Sequence, residues 1–286
     1  LAYPPIAWQC PRTKETVREV AREMTPWEIY RRTGYQMISF NTLFRLVWLR
    51  RHQPKSLLDA TWLMMPGLIV HSLTGELSIE PTSASTMMAM DLARRDWSID
   101  LLRLATVEPS FFPSWSEPSD IVGQVTEKVS RETGLNAGTP VHAGGHDTQF
   151  AAVGAGASAA EAILSSGTWE ILEARVREFR PTRVGLRGGV LVEADIQPGL
   201  WDAQLLMVGS AVLEWIRRLI YPDLAEGEYE ALIRDASTVQ PGSSGVMVLP
   251  AFVDDSGPTR IHGTRGTILG LSLHTTRSHL YRAALE

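Results

Sequence analysis

At Gly138 the rhythm of the chain changes, and downstream of it short apolar strands alternate with helices. Strands are expected at residues 139–143, 162–165, 169–176, 189–194 and 203–208, and helices at 148–157 and 211–220. Such alternation is the mark of an α/β layer arrangement. Upstream, residues 13–75 read as consecutive helices. Thr25, Pro26 and Glu28 form a capping-box start with proline in the first turn, and Gly34 sits where that helix should stop. Leu43, Phe44, Leu46 and Val47 give residues 42–52 helical spacing before Pro54 ends it, and Gly75 closes a short helix at 68–73. No repeat at a fixed period interrupts this order.

The 286 residues are 44% hydrophobic and 21% charged, enough apolar material for one large or two moderate globular domains. A formal net charge of -5 offers no basic footprint for nucleic acid or anionic membranes, so a small-molecule partner is expected. Cys10 is the single cysteine; no intrachain disulfide can form, and a reducing cytoplasm fits. The most apolar stretch, 63–70, is broken by Pro66 and Gly67 and is far shorter than the roughly 20 residues that span a bilayer. No signal peptide is recognisable at the start. Met87, Met88 and Met90 are expected as core filling, and PSFFPSWSEPSD, residues 109–120, as a surface loop. Both ends read as cut: the first residues are extended and lack an initiator Met, and a helical pattern after Thr276 runs to Glu286 without a stop signal.

Two stretches carry chemistry. AGGHDTQF, residues 143–150, sets two glycines and an acid at the carboxyl end of a strand before a helix, where open α/β sheets bind ligands. Gly144 and Gly145 hold nothing away from Asp147, which is placed either to accept a proton from a substrate hydroxyl or simply to cap the helix. His142 and His146 lack the third partner of a usual metal site.

LSSGTWEI, residues 164–171, is a hairpin whose turn holds Ser165, Ser166, Gly167 and Thr168. Its N–H groups and hydroxyls make either a nest for phosphate oxygens or an ordinary tight turn. The helix between the two stretches and the returning strand are of similar length, so both turns are expected to border one cleft.

In this order and separation the two stretches resemble the catalytic-aspartate and second phosphate-binding motifs of the FGGY family of carbohydrate kinases. Residues 266–286 are similar to that family's second signature, with Gly266, Gly270, His279, Ala283 and Glu286 at pattern positions. Residues 40–52, FNTLFRLVWLRRH, resemble its first, with Arg45 where the pattern has lysine. WQCPRT from Trp8, SFNTLFRLVWL from Ser39, GHDTQFA from Gly145, LSSGTWEIL from Leu164 and AVLEWIRRL from Ala211 are most similar to the branch that phosphorylates L-fuculose.

The resemblance implies an actin-like ATPase, ribonuclease-H-like fold of two lobes around a cleft, incomplete at both ends. Residues 1–154 would belong to the sugar-binding lobe and 155–286 to the first part of the nucleotide-binding lobe. Asp147 would be the general base, and Ser166, Gly167 and Thr168 would contact ATP phosphates. Trp8, which can equally be a core aromatic, and Phe40, where relatives carry tyrosine, would line the sugar pocket, with His146, Thr148 and Gln149 as further sugar contacts. ATP and Mg²⁺ are the implied cofactors, and a homo-oligomer is compatible with the sequence. Another ketose or polyol, such as L-rhamnulose, D-xylulose or glycerol, or a non-catalytic sugar-binding fragment, stays open as the alternative. Nothing here corresponds to the family's N-terminal Gly/Thr-rich loop with its Mg²⁺-binding Asp or to its C-terminal adenosine motif, so the chain by itself is expected to be inactive. Residues 253–263, VDDSGPTRIHG, depart from the family's usual segment.

Overall fold

The computed structural model describes residues 1–7, 10–158, 161–167, 169–225, 227–252 and 265–286. The departing segment at 253–263 lies outside them. Twelve helices are described: α1 Lys14–Glu23, α2 Pro26–Thr33, α3 Thr42–His52, α4 Met65–Thr74, α5 Pro81–Thr86, α6 Ile99–Ala105, α7 Glu127–Thr133, α8 Asp147–Gly154, α9 Arg183–Gly188, α10 Ser210–Ile220, α11 Tyr229–Ala236 and α12 Arg277–Leu285. The strands are β1 Met90–Asp91, β2 Asp96–Trp97, β3 Ile121–Gln124, β4 Pro140–His142, β5 Ala162–Ser166, β6 Trp169–Val176, β7 Leu191–Ala194, β8 Trp201–Val208, β9 Met247–Leu249 and β10 Thr267–Leu269. None of the described helices is long and apolar enough to cross a membrane. The residues fall into two compact units, Leu1–Ile163 with Glu173–Gln204, and Leu164–Leu172 with Leu205–Glu286.

In the first unit, local signals act as the sequence suggests. The Thr25 hydroxyl accepts from Glu28 N–H while the Glu28 carboxylate accepts from Thr25 N–H at 2.9 Å, so two orphan donors of α2 are satisfied reciprocally. Gly34 ends that helix in the left-handed region. Leu43, Phe44 and Leu46 of α3 are fully buried and pack with α1 and α6, and Met87, Met88 and Met90 are core residues. Residues 109–120 form the expected loop, mostly exposed or half-buried, but with aromatic residues turned inward. Pro109–Phe111 form a 3-10 turn, Phe112 is buried, and Trp97 stacks on Phe112 and Trp115 at ring separations of 4.0 and 4.7 Å. The aromatic residues of this turn-rich segment carry enough apolar area to be drawn inward.

The strands of the largest sheet run in the order β5–β6–β8–β7. β7 pairs antiparallel with β8, Leu191 opposite Gln204 and Glu193 opposite Asp202. β7 begins two residues later than expected because residues 183–188 form α9, closed by Gly189. Every residue of β7 is buried, including Glu193, and α5 packs against this strand.

The second unit centres on Val212, Ile216, Tyr221, Leu232, Ala236 and Tyr281, contributed by α10, α11, α12 and the turn after α10. Val212, Leu213, Ile216 and Ile220 recur at helical spacing, which gives α10 its apolar face. β9 and β10 form an antiparallel pair, and the Glu286 carboxylate accepts the Gly242 N–H at 2.9 Å.

Candidate active site

β4 delivers the chain to Gly144 and Gly145, and α8 starts at Asp147. The close approach at Gly145 is enforced from α5. A Cβ there would meet the Thr82 hydroxyl, stand 2.6 Å from the Phe150 ring and 3.0 Å from the Glu80 carboxyl carbon. Buried Glu80 caps α5, accepting from Thr82 N–H, the Thr82 hydroxyl and Ser83 N–H at 2.6 Å each. The Thr82 hydroxyl in turn accepts the His146 N–H at 2.9 Å. The starts of α5 and α8 are thus joined through one threonine.

His146 and Glu193 form the centre of the arrangement. Nδ1 of His146 lies 2.9 Å from Oε2 of Glu193, the Gln149 amide donates to the same oxygen at 2.5 Å, and the Gln204 amide stands at 3.4 Å. Tyr35 also favours the charged form of this carboxylate. Burial opposes a charge on His146, but the Glu193 carboxylate, backed by Asp147 and Glu80, outweighs it and raises its pKa to about 9. Burial likewise opposes the charge on Glu193, and the His146 charge with the surrounding donors holds its carboxyl below the ordinary value.

Asp147 is the first residue of α8; His146 holds the capping position, so the aspartate is not the N-cap that its place before Thr148 suggests. Its side chain is 98% exposed. Oδ1 accepts the Thr148 N–H at 2.9 Å and lies 3.6 Å from Nε2 of His146. Oδ2 has no partner among the described residues.

Behind His146 the buried sheet face is acidic. Arg175 holds Asp195 with two bonds of 2.6 and 2.8 Å, and Gln197 N–H donates at 2.6 Å. Burial and the neighbouring Asp195 push Asp202 up to about 8, and burial with Glu193 pushes Glu173 up to about 7. Neither oxygen of Glu173 has a hydrogen-bond partner among the described residues. The described residues hold no group of three or more His, Cys, Asp or Glu arranged for a metal ion. Mg²⁺ held largely by substrate phosphates needs only one or two protein carboxylates, and no chemical step is assigned to it.

In the second unit, Ser166 and Gly167 of the turn between β5 and β6 bond within it. The Ser166 hydroxyl donates to Glu170 at 2.8 Å, and Gly167 N–H donates to the Trp169 carbonyl at 3.0 Å. The Gly167 carbonyl accepts the Ser210 N–H at 2.9 Å, bringing the N-terminus of α10 to the turn. Gly209 permits this approach, since a Cβ there would stand 2.7 Å from the Glu170 side chain and 2.9 Å from the Gly167 oxygen. The Ser210 and Val212 N–H groups are already bonded there, so this helix start offers an anion chiefly its positive potential.

The anticipated residues His146, Asp147, Thr148 and Gln149 are therefore together at one helix start. Gln149 is buried, with its amide committed to Glu193. Phe40 is half-buried in the turn before α3. Trp8 and Thr168 lie outside the described residues. Sequence reasoning missed Glu193, Tyr35, Glu80, Thr82 and Gly209. The signal for Glu193 was an acid inside an apolar strand pattern, VLVEA, although its partners are distant in sequence.

The arrangement is that of an actin-like ATPase, an α/β fold shared with solved sugar kinases. Xylulose kinase from Rhodospirillum rubrum superposes with a TM-score of 0.82 at 27% identity, covering 96% of this chain and 55% of that one. Ligand-bound xylulose kinase from Lactobacillus acidophilus gives 0.86 at 20% identity, covering 98% of this chain and 56% of that one. Residues 1–154 match the N-terminal domain of the FGGY family of carbohydrate kinases and residues 162–286 its C-terminal domain, and the chain belongs to that family. It is 37% identical over 287 aligned residues to L-fuculokinase of Escherichia coli (strain K12), covering 100% of this chain and 59% of that protein. Autoinducer-2 kinase of Klebsiella pneumoniae is 31% identical over 273 residues, 91% of this chain and 50% of that protein. The chain thus spans little more than half the length of these relatives.

Proposed function

We propose that the protein carrying this chain is an ATP-dependent kinase that converts L-fuculose to L-fuculose 1-phosphate. The observation that carries the transfer chemistry is the exposed Asp147 carboxylate with Oδ2 unengaged at the start of α8. The choice of sugar rests on the likeness to L-fuculokinase along the whole chain. Residues 1–154 supply part of the sugar-binding lobe and 155–286 the first part of the nucleotide-binding lobe. The single cysteine supports a cytoplasmic setting.

In the transfer, the sugar hydroxyl oxygen attacks the γ-phosphorus of ATP as the bond to the bridging β,γ-oxygen breaks. ADP leaves with that electron pair, and Asp147 takes the hydroxyl proton. Ser166, Gly167 and Thr168, with the start of α10, cradle the phosphates after Ser166 and Gly167 exchange their bonds within the turn for phosphate oxygens. Trp8, Phe40, His146 and Thr148 belong to the sugar side, whereas Gln149, buried with its amide on Glu193, supports that side from within the fold.

The test is ADP formation by the full-length protein with L-fuculose, L-rhamnulose, D-xylulose and glycerol, alongside Asp147→Asn. The expected result is highest kcat/KM for L-fuculose and a loss of about a thousandfold or more in kcat for the variant, with sugar affinity kept. Preference for another sugar would move the protein to a different branch of the family. Full turnover by Asp147→Asn would remove the base assignment.

A further inference from the structure

We propose that Glu193 is a positioning residue of the transfer: through His146 it pins Oδ1 of Asp147 and leaves Oδ2 as the oxygen that meets the sugar hydroxyl. This deepens the kinase reading and rests on Asp147 being the base.

Glu193 is 1% exposed on β7, a place where a carboxylate is costly unless several donors converge on it. They do: His146 and Gln149 bond it, Gln204 stands at the margin, and Tyr35 favours its charge. Three of these four side chains, Gln149, Gln204 and Tyr35, are themselves buried, so the carboxylate is held from within the fold. The one that reaches outward is His146. With Nδ1 fixed on Glu193, its other nitrogen faces Asp147 at 3.6 Å.

Asp147 has little else to orient it. Apart from the Thr148 amide, no described residue bonds its carboxylate, and the Thr148 amide meets the same Oδ1 that His146 faces. The amide bond and the ion-pair contact from His146, at 3.6 Å longer than a hydrogen bond, both fall on one oxygen. An otherwise mobile carboxylate with one oxygen tethered presents the other in a narrow range of directions, which is what proton transfer to a bound hydroxyl requires.

The charged groups acting on His146 are Glu193 from β7, Asp147 from its own helix, Glu80 ahead of α5 and Glu173 from β6, all acidic. They keep the ring cationic, so Nε2 carries a proton in the neutral range. When the ring loses one proton, the remaining one stays on Nδ1 against Glu193, and Nε2 no longer donates toward Asp147.

The experiment compares His146→Asn, His146→Gln and Glu193→Gln in the full-length protein. Asparagine sets its amide near the place of Nδ1 and keeps the bond to Glu193 without a donor toward Asp147; glutamine reaches the place of Nε2. His146→Asn is expected to lose about tenfold or more in kcat with little change in sugar KM, and His146→Gln to retain more of the rate. The fall in wild-type kcat at the alkaline end should move to lower pH in Glu193→Gln and vanish in both histidine variants. ¹⁵N NMR of His146 gives a readout apart from turnover: the ring should titrate in the alkaline range in the wild type and well below it in Glu193→Gln. If Glu193→Gln does not fold, the histidine pair decides. Wild-type kcat and an unchanged alkaline limb in His146→Asn would overturn the inference, as would a ring already neutral at pH 8. Asp147→Asn in the same assay separates the two layers: full activity there removes the base, whereas NMR reports on the Glu193 and His146 clamp by itself.

Discussion

His146 Nδ1 lies 2.9 Å from the buried Oε2 of Glu193, and this one contact ties the start of α8 to the sheet. It also makes stability depend on pH. The folded His146 titrates near 9 against about 6.5 unfolded, so its contribution is complete below about 6.5 and is lost as pH rises through about 9. Glu193 is shifted the other way, so its contribution is present above its ordinary value and is lost in acid. Urea denaturation at pH 6, 7.5 and 9 should show wild-type stability falling toward pH 9, with His146 supplying up to about 3 kcal/mol of the change. His146→Gln should flatten that slope; an unaltered slope would show that the pair does not carry the linkage.

The acidic sheet face adds to the same trend. Asp202, raised to about 8 by burial and by Asp195, is favoured in its protonated form when folded. Its contribution is therefore complete below about 4 and is lost as pH rises through about 8. Asp202→Asn keeps the shape and cannot ionise. The variant should gain on the wild type between pH 6 and pH 9, by about 1 kcal/mol or more. A variant that is less stable at pH 9 by as much as at pH 6 would show that Asp202 acts through a hydrogen bond rather than through its charge.

Local features of this fold were legible wherever the cause is local. The capping box at Thr25, the stop at Gly34, the span of α3, and the strand and helix on either side of Asp147 each depend on residues a few positions apart. The short strands β1 to β3 and the helices α5 to α7 were not read, because each is too short to show a periodicity of its own. Burial of Phe112 follows from Trp97. The candidate site divides in the same way. Asp147 and its neighbours are contiguous and visible in GGHDTQ, whereas Glu193 reaches His146 across 47 residues and Thr82 reaches its backbone across 64. No spacing rule links residues brought together only by the packing of β7 and α5 beneath α8.

Gly145→Ala tests that packing. The added methyl collides with the Phe150 ring and with the Thr82 hydroxyl and Glu80 carboxyl, the last two buried and bonded to each other. Relief requires the start of α8 to move, carrying His146 away from Glu193. Thermal denaturation should show a loss of about 1–3 kcal/mol. Turnover should fall more than tenfold even where the variant is fully folded, because a displacement of about an ångström at the base is enough to impair the transfer. Gly144→Ala is the control: its Cβ meets only Pro66 at an ordinary 3.7 Å and should be tolerated.

Gly209→Ala makes the matching test in the second unit. Its Cβ would press on Glu170 and on the Gly167 carbonyl, so the turn at 166–170 must separate from the start of α10 and the Ser210 to Gly167 bond must break. If phosphates are held between that turn and the helix N-terminus, the KM for ATP should rise by about tenfold while the KM for sugar stays put. Ser166→Ala isolates the hydroxyl. It removes one exposed bond to Glu170, so stability should change by no more than about 0.5 kcal/mol, while ATP binding weakens severalfold. The two variants fail in different ways. If both leave the KM for ATP unchanged, the turn is only a hairpin; if Gly209→Ala alone weakens ATP binding, the helix start and the turn backbone hold the phosphates without the serine.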